Sequence, residues 1–299
     1  PHIVHFNERL RINKRNVDDQ SLISAFEQID IARKEISLSY YEYTTLAAFI
    51  VLMHVKPDVI ILEVGLGGRL DATNIIDADV AVITSIDIDH QAFLGNDRET
   101  IGFEKAGIMR ANQHIIIGDP NAPQSVINHA KKVNDAVEYK QQAQSKVKLR
   151  GKDFFIENND MLFSKNEQRW QWSYVEINER TNKTEFNLSH LISPFIPLDN
   201  VATALMVLKQ LGVSLTSVKV NDLIENTQVA GRTELFKASE FNNNDFLLRC
   251  DAMLDVGHNP HAGRYLAERL AQFKKQGDYK LIIAVVAMLI DKDNTNTGL

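Results

Sequence analysis

The stretch that decides the fold is Asp58-Val59-Ile60-Ile61-Leu62-Glu63-Val64-Gly65-Leu66-Gly67-Gly68-Arg69-Leu70-Asp71-Ala72-Thr73-Asn74. A β-branched apolar run ends in a carboxylate, and a glycine-rich turn follows. Short continuous apolar runs bounded by Gly or Asp read as strands buried on both faces of a parallel sheet. In open α/β sheets, ligands bind outside the carboxyl ends of the strands, where glycine lets the backbone come close to them. Gly65 and Gly67 fit the first two positions of G-x-G-x-x-G, but Leu70 stands in the third, so this is not a dinucleotide fingerprint. Glu63 has two readings. It is either a ligand-facing acid at a strand end or a buried acid paired to Arg69 inside a tight turn.

Working outward, Asp79 to Ile86 repeats the strand pattern and His114 to Ile117 is a third strand. Helical spacing covers Asp18 to Ile36, with Asp18 or Asp19 as N-cap, and Tyr41 to Val55, which Pro57 ends. Further helices are expected over Asp97 to Met109 and Gln124 to Val133. Strands alternating with helices imply a parallel sheet with covered faces. Val137 to Asn187 is polar, and the alternation Trp170-Gln171-Trp172-Ser173-Tyr174-Val175 predicts a small antiparallel insertion or hairpins. Helices return at Asp199 to Leu211 and Ser217 to Asn226, and Gly231-Arg232 marks a domain junction. Beyond it come strands near Leu235 and at Ala252 to Val256, a helix from His261 to Phe273 and a strand from Leu281 to Ala287. The expected class is α/β, with a parallel-sheet central domain over 1–231 and the start of a Rossmann-like domain over 232–299.

Composition sets the bounds. At roughly 150 residues per domain, 299 residues make two domains. Hydrophobic residues at 44% and charged residues at 24% exclude wholesale disorder and collagen-like classes. A net charge of -6 gives no electrostatic reason to expect nucleic acid as a partner. Cys250 stands alone and makes no internal disulfide, which fits a reducing cytoplasm. The longest apolar run, Leu281 to Ile290, is ten residues, too short to span a bilayer, so no membrane partner is expected. A first residue of Pro1 and a polar tail after a strongly apolar segment read as the two ends of a fragment.

Three further strings carry candidate chemistry. Ser85-Ile86-Asp87-Ile88-Asp89-His90 ends the second predicted strand. Glu63 and His90 would then lie at matching strand ends, where a carboxylate and an imidazole suit a divalent ion; otherwise His90 is simply hydrogen-bonded. Glu104-Lys105-Ala106-Gly107-Ile108 offers either a solvated Glu–Lys pair or a lysine aimed at the same edge. Asp255-Val256-Gly257-His258-Asn259-Pro260-His261 follows a strand and opens a helix, as an anion-facing helix start or an Asn-Pro turn with its cap. A Walker A sequence is absent: the only Gly-Lys, Gly151-Lys152, precedes Asp153.

Taken in order, these strings, with Thr84-Ser85-Ile86 and Met288-Leu289-Ile290-Asp291-Lys292-Asp293, resemble the bacterial folylpolyglutamate synthase / dihydrofolate synthase family of the Mur-ligase superfamily. Pro1-His2 resembles the end of a Ser-Pro-His segment that follows the family's phosphate loop. The resemblance implies a Mur-ligase central domain built on an incomplete P-loop NTPase fold, followed by a truncated C-terminal ligase domain. It implies a cytoplasmic, monomeric enzyme that uses ATP and Mg2+ to join L-glutamate to dihydropteroate or a folate through an acyl phosphate. Glu63, His90 and Lys105 match the catalytic metal set, with Lys105 at the position of a carbamylated lysine. Ser39, Tyr40, Tyr41 and Glu42 match the pterin-binding segment, together with Leu70, Asp71 and Ala72. Asn200, Arg232 and Asp255 match ATP contacts, with His258 beside them. Lacking the phosphate loop, these 299 residues are expected to be inactive alone. Two alternatives stand beside this reading: a non-catalytic pterin-binding remnant, and a Mur-type ligase for another amino acid.

Overall fold

The computed structural model describes residues 2–138, 146–158, 169–176, 184–238, 250–276, 279 and 281–286. The chain divides into two compact units, one of residues 1–78 with 103–108 and the other of 79–102 with 109–299.

The first unit begins with a 3-10 turn, Phe6–Arg9, and a two-stranded ribbon, β1 (Arg11–Ile12) and β2 (Arg15–Asn16). Helix α1 (Asp19–Arg33) starts where the Asp18 side chain accepts from the Ser21 N–H. Its residues Leu22, Ala25 and Ile29 fall three and four apart and so line one face. They are buried with Ala47 and Val51 of helix α2 (Tyr40–Val55) and with Val17. A capping box opens α2: the Ser39 side chain accepts from Glu42 N–H, and the Glu42 side chain accepts from Ser39 N–H at 2.7 Å. Lys56, left-handed at φ 53°, ends it just before Pro57.

Asp58 to Val64 is a correction to the sequence reading. The run forms no strand and pairs with none among the described residues, and Ile61 is 90% exposed. β-branched composition records a preference for a pleated, covered surface, and the partner that realises it must come from elsewhere in the fold.

The second unit holds the parallel sheet. Strand β3 (Val80–Ile83) leads through the short helix α3 (Gln91–Leu94) and helix α4 (Arg98–Ala106), whose last turn falls in the first unit, to β4 (His114–Ile117). Helix α5 (Gln124–Glu138) then leads to β5 (Val147–Leu149), and the order is β3-β4-β5, all parallel. Central β4 buries Ile115, Ile116 and Ile117, as a strand covered on both faces must. The predicted insertion is an antiparallel sheet of β6 (Phe154–Asn158), β7 (Arg169–Glu176) and β8 (Thr184–Ile192). Trp170, Trp172 and Tyr174 alternate onto its buried face. They pack in one core with Val201, Leu205 and Met206 of α6 (Leu198–Gln210) and with Val220 and Ile224 of α7 (Ser217–Glu225). The chain continues into an antiparallel pair, β9 (Glu234–Phe236) and β10 (Ala252–Leu254), and helix α8 (Pro260–Gln276).

The expected strand from Leu281 is also corrected. Residues 281–286 form no strand and Val285 is 94% exposed, so this apolar run too lacks the pairing that would make it a strand. Ala287 and the string Met288 to Asp293 lie outside the described residues. Among the described residues, no helix is long and apolar enough to cross a membrane.

Candidate active site

In the first unit the glycine-rich turn is organised by one carboxylate. Asp71 Oδ2 accepts from the N–H groups of Gly65 at 2.9 Å and Leu66 at 3.3 Å. Its Oδ1 accepts from the N–H of Thr73 at 2.9 Å, capping the 3-10 turn Ala72–Ile75, and from the Thr73 hydroxyl at 2.7 Å. The Tyr41 hydroxyl reaches the same oxygen at 3.3 Å. Burial and the nearby Asp71 charge raise the Tyr41 pKa, so this phenol stays protonated. A Cβ on Gly65 would stand 3.0 Å from the Tyr41 ring, so glycine is what lets the aromatic lie on the turn.

The turn is fastened to the end of α4. Arg69 N–H donates to Glu104 O at 2.9 Å, and the Arg69 guanidinium pairs with the Glu104 carboxylate at 3.0 Å. Asn74 Nδ2 donates to the carbonyls of Arg69 at 3.1 Å and Gly107 at 3.2 Å. A Cβ on Gly68 would meet the Glu104 and Lys105 carbonyl oxygens at 3.0 Å, so turn and helix end are in backbone contact. Two sequence alternatives fall here. The partner of Arg69 is Glu104, not a buried Glu63, and Glu63 is exposed. Glu104 bonds Arg69, so it is not simply half of a solvated Glu–Lys pair, and Lys105 is half-buried on the last turn of α4.

The segment Ser39 to Glu42 divides in its duties. Ser39 and Glu42 are engaged in the capping box, and Tyr41 faces Asp71. Tyr40 points elsewhere, into an open cavity of about 480 Å³ with Phe6, Phe26, Tyr43, Asp30 and Arg33. Leu70 is 80% exposed and Ala72 half-buried.

In the second unit the loop after β3 is held by Arg98 and Asp119. Buried Asp119 accepts from Ile86 N–H at 2.9 Å and pairs with Arg98 at 2.8 Å, while Arg98 Nε donates to Ile86 O. Sequence reasoning missed this pair. The signal was present, because Asp119 ends β4 just as Glu63 ends its own apolar run. His90 sits in the left-handed region at φ 52°, ψ 40°, and its N–H donates to Asp89 Oδ1 at 2.7 Å. Asn259 Nδ2 donates to Asp89 Oδ2 at 2.7 Å, and Arg264 pairs with Asp87, so the segment after β10 is clasped to the β3 loop. His258 stands there too, with one ligand atom each from Asp89, His90 and His258 within 4.8 Å of one another.

Asp255 is an organiser like Asp71. It accepts from Gly257 N–H at 2.6 Å and from Thr233 N–H at 2.7 Å. Buried Thr233, strained at φ 45°, donates its hydroxyl to Phe195 O, which links the Arg232–Asp255 region to the segment leading into α6. Thr233 was also missed, and a threonine in a Gly-Arg-Thr turn carries no sequence signal for this role. Arg232 and Asn200 are both exposed. Asn259 combines the two expected parts of its turn: its side-chain oxygen also accepts from Ala262 N–H at the start of α8. Of the matched residues, Glu63, Lys105, Tyr41 and Asp71 fall in the first unit, and His90, Asn200, Arg232, Asp255 and His258 in the second.

The chain belongs to the Mur ligase family, whose middle domain matches residues 15–207. It is 39% identical over 299 residues to the dihydrofolate synthase/folylpolyglutamate synthase of Haemophilus influenzae, covering 98% of this chain and 62% of that protein. To the Escherichia coli protein of the same name it is 36% identical, over 99% of this chain and 61% of that one. The solved E. coli FolC in complex with DHPP and ADP superposes with a TM-score of 0.73 at 35% identity, over 91% of this chain and 57% of that one. The Yersinia pestis bifunctional enzyme complexed with AMPPNP and Mn ion gives 0.74 at 36% identity, over 92% and 58%. The chain thus spans about three-fifths of the relatives it matches. The α/β class and the resemblance read from the motifs agree with these matches.

Proposed function

We propose that this chain is part of an ATP-dependent ligase that joins L-glutamate to dihydropteroate, to folates, or to both. The observation that carries the reading is the fastening of the Gly65–Asp71 turn to the end of α4, which makes one piece of the Tyr41–Asp71 face, Glu63 at the end of its apolar run and Lys105. Similarity to a FolC solved with DHPP and ADP, and to a bifunctional synthase solved with Mn, AMPPNP and L-glutamate, supports it.

In this reading the substrate carboxylate attacks the γ-phosphorus of ATP, ADP leaves, and an acyl phosphate remains. The glutamate amine attacks the acyl carbon, loses a proton, and phosphate departs as the amide forms. Tyr41 and the turn it covers hold the pteridine. Arg232, Asn200 and Asp255 mark the nucleotide side, with Arg232 suited to phosphate oxygens. Glu63, His90 and Lys105 would hold Mg2+. Their donors fit a hard cation once the Lys105 amine has added CO2 and released a proton, which replaces an ammonium by an oxygen ligand. When bound, the metal screens phosphate charge during transfer. The division at Gly231–Arg232 into central and glutamate-ligase domains belongs to the same proposal, as do a cytoplasmic location and a monomeric state. With no Walker A sequence among them, residues 1–299 alone are proposed to turn over no ATP.

The deciding experiment is phosphate release with ATP, Mg2+, L-glutamate and dihydropteroate, using the protein extended to the length of its relatives. Glutamate-dependent release should be lost in Glu63→Ala. Near-normal turnover of that variant at saturating Mg2+ overturns the metal assignment.

A further inference from the structure

We propose that Thr233 is a positioning residue for nucleotide binding: it holds the backbone that presents the Arg232 guanidinium to phosphate oxygens. This rests on the nucleotide-side reading of Arg232 given above and adds a residue that acts through it. All the groups involved lie in the second unit.

Arg232 stands between two left-handed residues, Gly231 at φ 67° and Thr233 at φ 45°. Glycine enters that region freely, but a β-branched side chain crowds its own backbone there. Among the described residues, Thr233 is the only β-branched residue with a positive φ. Such a conformation persists where the surroundings over-determine it. Here two bonds do so: the Thr233 N–H donates to Asp255 Oδ2 at 2.7 Å, and its hydroxyl donates to Phe195 O at 2.7 Å. On the other side of Arg232, the Gly231 N–H donates to Glu234 Oε2 at 2.8 Å, and Gly231 O accepts from Val256 N–H at 2.9 Å. The N–H of Arg232 itself closes onto Val229 O at 3.0 Å.

The result is a braced tip. Gly231 and Thr233 are buried, and Arg232 between them is exposed. Among the described residues its guanidinium has no hydrogen-bond or ion-pair partner. Arg232, Thr233 and Phe195 line one cavity of about 190 Å³. A guanidinium whose backbone is already fixed loses less freedom when it takes phosphate oxygens in a forked contact. The hydroxyl is the separable part of this device. Valine has threonine's branched shape but donates nothing, so Thr233→Val keeps the crowded backbone and removes one of the two bonds that hold it.

The test is calorimetric binding of the ATP analogue AMPPNP with Mg2+ to the protein extended to the length of its relatives. Arg232→Ala should weaken binding by about tenfold or more, as expected for a lost hydrogen bond between charged groups. Thr233→Val should weaken it by about fivefold, and Thr233→Ala, which lacks valine's bulk, by a similar factor; Thr233→Ser, which keeps the hydroxyl, should bind within about twofold of the parent. Once Arg232 is alanine, adding Thr233→Val should cost less than about twofold more, because no guanidinium is left to position. A merely structural threonine would give additive losses instead. Tyr265→Phe removes the other hydroxyl on Phe195 O, donated at 2.9 Å, and should leave binding unchanged. The proposal is overturned if Arg232→Ala binds normally, or if Thr233→Val and Thr233→Ala both do. It is also overturned if the loss from Thr233→Val is undiminished in the Arg232→Ala background, or if Tyr265→Phe matches it. The expected binding pattern without glutamate-dependent phosphate release would count against the function proposed above and support this role.

Discussion

Asp71 matches a residue expected to touch the pterin, yet its oxygens are occupied by the turn itself. Replacing it with alanine removes three short acceptor contacts, to Gly65 N–H at 2.9 Å, Thr73 N–H at 2.9 Å and the Thr73 hydroxyl at 2.7 Å. The longer contacts from Leu66 and Tyr41, both at 3.3 Å, go with them. A hydrogen bond to a charged group contributes about 1.5–3 kcal/mol. Asp71 is half-buried and water replaces part of each bond, so the local cost is about 2–4 kcal/mol rather than the full sum. At 1.4 kcal/mol per tenfold, the amides of Gly65, Leu66 and Thr73 should exchange about thirtyfold faster or more in Asp71→Ala. Asp71→Asn keeps one acceptor oxygen and turns an amide donor toward N–H groups, so its effect should be smaller but of the same sign. Hydrogen exchange resolved to these residues is the assay, with the amides of α6 and α7 as unaffected controls. Exchange within about twofold of the parent chain at all three positions would refute the organising role and return Asp71 to the ligand.

Gly68→Ala should destabilise the first unit by about 1–3 kcal/mol, the usual range for overpacking, because its Cβ meets the Glu104 and Lys105 carbonyls at 3.0 Å; urea unfolding followed by circular dichroism measures it. Glu8 accepts from the N–H groups of Ile3, Val4 and His5, and these bonds hold its pKa at about 2, down from the ordinary 4.5. A depressed carboxyl stabilises above its unfolded value, so protection of those amides should be full above pH 4.5 and fade as the pH falls toward 2; protection that is flat across this range contradicts the assignment. In the full-length enzyme, Lys105→Ala should lower turnover and short carboxylates should partly restore it by standing in for carbamate oxygens. Full activity without rescue would remove Lys105 from the metal set.

Local patterns were legible where the fold agrees with them. His114 to Ile117 was read with its true bounds because three of its four residues, Ile115 to Ile117, are buried in a strand covered on both faces. The Trp170 to Val175 alternation located β7 because one face of that sheet meets α6 and α7. Asp58 to Val64 and Leu281 to Val286 carry the same local preference, but composition does not record whether a neighbouring strand is present to pair with. At the site, the motifs named the loops and left their internal wiring unread. Ser39 and Glu42 look like ligand groups in a pterin segment until the capping box accounts for both. Asp119 is marked by its place just after β4, but its partner Arg98 lies 21 residues away, and Thr233 acts through a backbone angle that leaves no local trace. Asp89 was passed over beside His90, although the contact that makes it interesting comes from Asn259, 170 residues away.

The placement of the indoles governs what an optical experiment on this chain can see. Its two tryptophans, Trp170 and Trp172, both sit in the β7 core of the second unit at 2% and 0% exposure. The first unit has no tryptophan and three tyrosines, Tyr40, Tyr41 and Tyr43. Excited where indole alone absorbs, the protein therefore reports the melting of the small antiparallel sheet and is blind to the glycine-rich turn. An unfolding curve taken that way would read native while the unit bearing Asp71 had already opened. Coincidence between tryptophan emission and far-ultraviolet dichroism is then a direct measure of whether the two units unfold together.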